Sequence, residues 1–372
     1  MNSDKTEWFE VANVQEVPSP SLLLYPERIA ENIRRMICMV GDAKRLRPHL
    51  KTHKLGEVLR MQSEQGITKF KCATIAEAEM AANAGAPDVL IAYPIVGPNV
   101  ERFLALSKKF PATKFSCVAD NAPAIGALSK AFCGGNGTIE VLLDIDCGQH
   151  RTGIAPGPKA EELYRLIAAS PGLQPAGLHV YDGHIQEPDL EARRAQCDAA
   201  FAPVKKFQGR LADAGLQVPR VVAGGTPTFP LHARNGKFEC SPGTTVLWDF
   251  SYSDKFKDLD FLHAAVVLAR VISKPEGGRL CLDVGHKAIA AENPHPRIRF
   301  LNLPDAEAIS HSEEHLVVKT PRAGEFAVGD CLYGLPRHVC PTVALYSEAV
   351  VVRNGRAEGN WRITARERRL TI

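Results

Sequence analysis

Closely spaced cysteines are absent from this chain. Its ten cysteines stand at positions 38, 72, 117, 133, 147, 197, 240, 281, 331 and 340, never closer than nine residues apart. Without a CxxC, zinc-knuckle and thioredoxin-like readings fail. Thiols scattered through 372 residues suit a reducing cytoplasm better than a disulfide scaffold, so a cytoplasmic protein is expected. An excess of one charge is also missing. Lys plus Arg is 45 against 42 Asp plus Glu, a net charge of +3. That provides no general field for nucleic acid or anionic lipid, and neither is expected as a partner. The segment MNSDKTEWFE lacks the apolar core of a secretory leader. The most apolar run, Phe261 to Ile272, is broken by His263 and Arg270 and is too short to span a bilayer. Repeats and low-complexity tracts are absent. What is present is ordinary for a soluble globular protein: 45% hydrophobic and 23% charged residues.

From about residue 22, short apolar runs alternate with helix-like stretches. The runs are LRPHL (46–50), KFKCA (69–73), DVLIA (88–92), TKFSCV (113–118), IEVLLDI (139–145), LQPAGLHV (173–180), PRVVAG (219–224) and GKFEC (236–240). Helices between strands imply a parallel sheet. Eight such units in roughly 200 residues predict a (β/α)8 TIM-type barrel over 20–250, with a doubly wound open sheet as the alternative. After about Phe250 the texture changes. Val266–Ile272, Arg279–Val284, Arg297–Leu301, His315–Lys319, Val343–Val352 and Trp361–Thr364 read as strands divided by Gly and Pro turns. They predict a mostly antiparallel β domain over 251–372, with residues 1–19 left open as an addition to it.

In such a barrel the working residues follow the strands. Lys51, Thr52, His53 and Lys54 follow the first, and Tyr93 the third. Asp144, Asp146, His150 and Arg151 follow the fifth, and His179, Tyr181, Asp182 and His184 the sixth. Gly224-Gly225-Thr226 follow the seventh, and Ser241-Pro242-Gly243-Thr244-Thr245 the eighth. A lysine, an arginine, an aromatic and small turns on one face suit a phosphate-bearing cofactor with a reactive carbonyl. In RPHLKTHK (47–54), Lys51 at a strand end beside Arg47 and His49 is expected to have a lowered pKa. A neutral amine there meets the requirement for pyridoxal phosphate (PLP) chemistry. Lys54 suits it less, falling at the start of the next helix. On pattern alone, a solvated basic loop or a phosphate patch is the commoner meaning of such a stretch. GGTPTF (224–229) and SPGTT (241–245) are small turns of the kind that cradle phosphate, or simply turns. His338-x-Cys340, read as extended, places an imidazole and a thiol on one side, a pair that favours zinc. A structural His and a buried Cys are the plainer alternative. Glu313, Glu314 and His315 form a further polar group or an exposed turn.

Taken together, PSLLLY, RPHLKTHK, HRTGI, GLHVYDGH, GGTPTF, SPGTT, LDVGHKAIAAE, SEEHLVV and LPRHVCPTV resemble the D-threonine aldolase and D-serine dehydratase family. That family consists of alanine racemase-like, fold-type III PLP enzymes. The resemblance runs from about Ser19 to the C-terminus. It implies a PLP barrel, a β domain and a homodimer. It implies that Lys51 holds PLP and acts as a base, and that Arg151 hydrogen-bonds its phenolic oxygen. Tyr181 would lie beside the ring, and Gly225, Thr226, Gly243 and Thr244 would bind the phosphate. His338 and Cys340 would hold a divalent metal, zinc first, with manganese or magnesium as alternatives. Alanine racemases carry an arginine where this chain has Ser241, which argues against racemisation.

The resemblance implies a small D-amino acid substrate and a metal-dependent lyase of D-3-hydroxy amino acids, D-threonine aldolase-like, releasing glycine and an aldehyde. A zinc-dependent D-serine or D-3-hydroxyaspartate dehydratase is the alternative, because His-x-Cys belongs to the dehydratases while PTVAL after it reads like the aldolases. A PLP-binding protein without turnover is the second alternative.

Overall fold

The computed structural model describes residues 7–134 and 137–372. The chain forms two compact units that interleave along the sequence. The first contains the described residues up to Ile33, Thr52–Leu55 and Thr244–Arg366. The second contains Arg34–Lys51, Gly56–Gly243 and Glu367–Ile372. The sequence reading expected one break near residue 250. Instead β1 (Ser21–Leu24) lies in the first unit, where it pairs with late strands.

The second unit is built on seven parallel strands in sequence order: β2 (Lys69–Cys72), β3 (Asp88–Pro94), β4 (Lys114–Ala119), β5 (Ile139–Ile145), β6 (Leu173–Val180), β7 (Val221–Ala223) and β8 (Glu239–Cys240). Their near-continuous apolar runs suit strands covered on both faces. The segment Leu46–His49 closes the sheet into a TIM-like barrel, bridging Cys240 on β8 through Leu46 and Lys71 on β2 through His49. Arg47 N–H donates to Cys240 at 2.8 Å and Lys71 N–H to Pro48 at 2.9 Å. This segment was expected as a full strand. It is reduced to bridges because Pro48 has no N–H to give the ladder. Polar caps start the intervening helices: Thr74 accepts from Glu77 N–H, Asn121 from Ala124 and Asp189 from Ala192.

In the first unit, β9 (Ala265–Ser273), β10 (Arg279–Leu282), β11 (Ile298–Phe300), β12 (Glu307–His311), β13 (Leu316–Lys319), β14 (Cys331–Pro336), β15 (Glu348–Arg353) and β16 (Arg356–Arg362) join β1 in a nine-stranded sheet. Only the β1–β15 pair is parallel. Phe9, Val11 and Val17 pack with Leu23, Phe250, Val266, Tyr333 and Val352 in its core, so the N-terminal segment belongs to this unit. β12 and β14 were not anticipated. β12 is polar and largely exposed, and β14 carries a glycine and a proline. The expected strand Val343–Val352 begins instead as the end of a helix, Val339–Leu345. Its buried residues Val339, Thr342 and Val343 fall at helical spacing, and Asp249 accepts Val339 N–H at 3.1 Å. Among the described residues no helix is long and apolar enough to cross a membrane.

His53, in the first unit, is fully buried with its Nδ1 accepting Leu55 N–H, and burial pushes its pKa down from 6.5 to about 3. As pH falls through that window, the unfolded chain takes up a proton that the folded chain refuses. Stability is therefore intact above about pH 6.5 and declines below it, by up to about 1.4 kcal/mol per pH unit. Denaturant titrations at stepped pH should show a shallower acid-side decline in His53→Gln than in the wild type.

Candidate active site

At the C-terminal ends of the barrel strands, three cationic groups converge on one ring. Lys51 Nζ lies 5.7 Å, Lys71 Nζ 5.6 Å and the Arg151 guanidinium 5.2 Å from the centre of Tyr181. Lys51 stands in the single turn Leu50–Thr52 that ends the closing segment. Arg47, expected beside it, faces elsewhere. Its fully buried guanidinium pairs with Asp88 at 2.6 Å and Glu239 at 2.7 Å. Lys54 is in a left-handed turn (φ 57°) ahead of the helix Gly56–Glu64, rather than inside it. Tyr93 is exposed.

Buried carboxylates hold the loops that carry these groups. Asp144, at the end of β5, takes His179 Nδ1 at 2.7 Å and the Thr152 hydroxyl at 3.0 Å, fixing the turn that bears Arg151. Burial would raise the Asp144 pKa, but His179 and Thr152 outweigh it and hold the carboxyl below its usual range. Burial in turn pushes the His179 pKa down, against the pull of Asp144. Asp182, next to Tyr181, accepts the Thr228 hydroxyl at 2.8 Å and lies 2.7 Å from His232 Nε2. It thereby ties Tyr181 to the GGTPTF turn. A Cβ at Gly225 would stand 3.0 Å from the Tyr181 ring, close enough to press on it. Thr226 Oγ1 accepts Gly243 N–H at 3.2 Å, joining the two small turns.

Lys71 was missed by sequence reasoning. It is 2% exposed, and its amine is pushed down from 10.5 to about 7, by burial first and then by the charge of Lys51. His184 and His150 are both exposed, with His150 Nδ1 2.9 Å from Asp146.

The first unit carries the imidazole–thiol pair. His338 and Cys340 sit at the start of the helix Val339–Leu345, not in the extended segment expected, and still interact through their side chains. Burial opposes charge on His338, but Cys340, Glu292 and Asp249 push its pKa up to about 9. Glu292 Oε1 stands 2.6 Å from His338 Nδ1, the carboxylate–imidazole arrangement common behind metal ligands. The Cys340 thiol donates to Thr52 at 3.2 Å and lies 3.7 Å from Thr244 Oγ1. Thr52 follows Lys51 in the chain, and Thr244 follows Gly243. Glu292 closes the LDVGHKAIAAE stretch, a signal that went unused. Burial pushes the Asp249 pKa up to about 6, against the backbone N–H groups of Val339 and Tyr252. Glu313 and Glu314 are surface partners of Lys287, so SEEH is an exposed turn. A second set of metal-ligand atom types, from Asp182, Cys197 and His232, lies clustered and buried in the barrel unit.

Two family models match: the alanine racemase N-terminal domain over residues 25–247 and a putative serine dehydratase domain over 264–352. The chain belongs to the D-threonine aldolase and D-serine dehydratase family, built on the alanine racemase N-terminal domain. It is 32% identical to the D-threonine aldolase of Arthrobacter sp. over 94% of this chain and 93% of that one. It is 31% identical to the 3-hydroxy-D-aspartate aldolase of Paracoccus denitrificans, over 94% and 92%. The crystal structure of D-threonine aldolase from Filomicrobium marinum superposes with a TM-score of 0.87 at 28% identity, covering 94% of this chain and 96% of that one. Dehydratases also stand among the relatives. The family is one of PLP-dependent lyases with metal-dependent members.

The residues present fit PLP. Two small turns border the cations, and Ser241 Oγ is buried without a hydrogen-bond partner among the described residues. Asp182→Asn should weaken the tie between Tyr181 and the GGTPTF turn. We expect urea unfolding to show about 1–3 kcal/mol lost, with PLP retained less firmly on dialysis.

Proposed function

We propose that this protein is a PLP- and divalent-metal-dependent lyase of D-3-hydroxy amino acids, acting as a D-threonine aldolase that yields glycine and an aldehyde. The observation that carries this reading is the convergence of Lys51, Lys71 and Arg151 on Tyr181 beside small turns, in a chain with aldolase relatives over nearly its full length. PLP, when bound, withdraws electrons from the bond that breaks at Cα. Lys51 would hold it through Nζ, and Arg151 would donate to its phenolic oxygen. Tyr181 would flank the ring, and the Gly225, Thr226, Gly243 and Thr244 backbones and hydroxyls would bind phosphate. His338 and Cys340 would hold the metal, whose chemistry would be to polarise a substrate hydroxyl. In aldol cleavage the hydroxyl proton leaves to a base and Cα–Cβ breaks. The working molecule is proposed to be a cytoplasmic homodimer.

Dehydration is the second reading, favoured by the thiol at position 340, which suits zinc, and by the serine dehydratase model over 264–352. There Lys51 Nζ would take the Cα proton and hydroxide would leave from Cβ, and water would then hydrolyse the resulting imine to an oxo acid and ammonia.

The deciding experiment supplies PLP with D-threonine or D-serine, adding zinc or manganese separately. Glycine and acetaldehyde from D-threonine are expected. Pyruvate and ammonia from D-serine, or 2-oxobutyrate from D-threonine, would make the enzyme a dehydratase. PLP uptake with neither set of products would favour a carrier without turnover.

Two variants test the assigned residues. Lys51→Ala should abolish the visible absorbance of bound cofactor and lower turnover by ~10³-fold or more. Persistence of the colour there, with its loss in Lys54→Ala, would move the role to Lys54. Cys340→Ala, or a chelator, should stop turnover while leaving cofactor absorbance in place. Full activity after metal stripping would remove the metal from the reading.

A further inference from the structure

The barrel unit holds a lysine that its own fold does not employ. Lys71 lies on β2 between Phe70 and Cys72, all three buried. Its Nζ makes no hydrogen bond and no ion pair among the described residues, and it lies 5.6 Å from the centre of the Tyr181 ring. Two carboxylates attract it from a distance, Asp144 and Asp182, but both are engaged. Asp144 is held by His179 and Thr152, and Asp182 by His232 and Thr228. Arg47, the other buried cation of this region, has Asp88 and Glu239 within 2.7 Å. An amine taken out of water without such partners costs stability, and the cost rises when Lys51 adds like charge nearby. Lys51 and Arg151 approach the same ring, and their side chains likewise lack a carboxylate within ion-pair distance among the described residues. Three basic side chains around one aromatic ring, with the neighbouring acids occupied, make a site suited to an anion.

We propose that Lys71 is a ligand-binding residue of this site, its amine donating to an anionic oxygen of the bound cofactor or substrate. The inference rests on the PLP reading above. The small turns bearing Gly225, Thr226 and Gly243 are available for the phosphate. The oxygens left for Lys71 are the phenolic oxygen of the cofactor, shared with Arg151, and the carboxylate of the amino acid. Both present the same chemistry, a negatively charged oxygen that replaces the ion pair Lys71 lacks in the protein.

Lys71→Met removes the charge while keeping most of the side-chain volume, and Lys71→Arg retains charge. Purified wild type and both variants are stripped of cofactor, then titrated with PLP alone and afterwards with D-threonine. If the phenolic oxygen is the partner, Lys71→Met binds PLP at least tenfold more weakly and its visible band shifts before any amino acid is added, while Lys71→Arg recovers part of both. If the carboxylate is the partner, PLP titrates normally and the D-threonine concentration giving half the spectral change rises at least tenfold. Either result supports the proposal. Cofactor-free Lys71→Met should melt no lower than the wild type, since it loses an unpaired buried amine. A lower melting point in both variants would make Lys71 structural and overturn the inference. So would PLP and D-threonine titrations within twofold of wild type. A wild type that takes up PLP with an absorbance removed by Lys51→Ala, beside an indifferent Lys71→Met, sinks this inference alone. A wild type that takes up no PLP sinks the PLP reading and this inference with it.

Discussion

The buried guanidinium of Arg47 is the constraint on which the barrel unit turns. A charge wholly removed from water persists only when its hydrogen-bonding capacity is met. Arg47 meets it with Asp88 on β3, Glu239 on β8 and the carbonyl of Phe70 on β2. Three strands from both edges of an otherwise open sheet are thereby gathered onto the segment that closes it. Pro48 weakens that segment as a strand, so side-chain ion pairing does work that backbone ladders do elsewhere in the sheet. Lys51 follows four residues later, and its place at the mouth is inherited from this anchor.

The loops of the candidate site follow a common plan. Each is fixed by a buried carboxylate: in the barrel unit Asp144 accepts from Thr152 of the Arg151 turn and Asp182 from Thr228 of the GGTPTF turn, and in the first unit Asp249 accepts from Val339 of the helix bearing Cys340. These acids are engaged in orienting loops, and among the described residues Lys51, Lys71 and Arg151 have no carboxylate within ion-pair distance. Positive charge that the fold keeps uncompensated is what an anionic cofactor requires, and rigid turns hold it in place before the ligand arrives.

Much of this was legible in the sequence, for reasons that differ residue by residue. Lys51, Arg151, Tyr181 and Gly225 follow strand-like runs directly, so the βα alternation alone puts them on one face. Lys71 was not legible. A lysine flanked by Phe70 and Cys72 reads as the solvent side of an alternating strand, whereas a closed barrel buries both faces. Asp249 and Glu292 owe their roles to partners 90 and 46 residues away, which no local pattern reports. The helix at Val339 was hidden because a short apolar run fits either period, and the cap that decides it comes from Asp249.

Among the described residues, two clusters have metal-ligand chemistry, and their bonding separates them. In the Asp182–Cys197–His232 group, His232 Nε2 faces both partners, at 2.7 Å from Asp182 and 3.8 Å from Cys197. One nitrogen cannot orient the ring from behind and also ligate. Burial pushes the Cys197 thiol up to about 12, so it stays protonated where a metal needs thiolate. Asp182 would have to release Thr228 and His232, and with them the turn beside Tyr181. That cluster is scaffold. His338 differs. It is partly exposed, its Nδ1 is oriented by Glu292, and its other side-chain partner is the Cys340 thiol. Its thiol partner Cys340 is bonded to hydroxyls rather than to carboxylates that anchor a loop. A cation could enter there without dismantling the fold, which is why the proposed chemistry assigns the metal to His338 and Cys340.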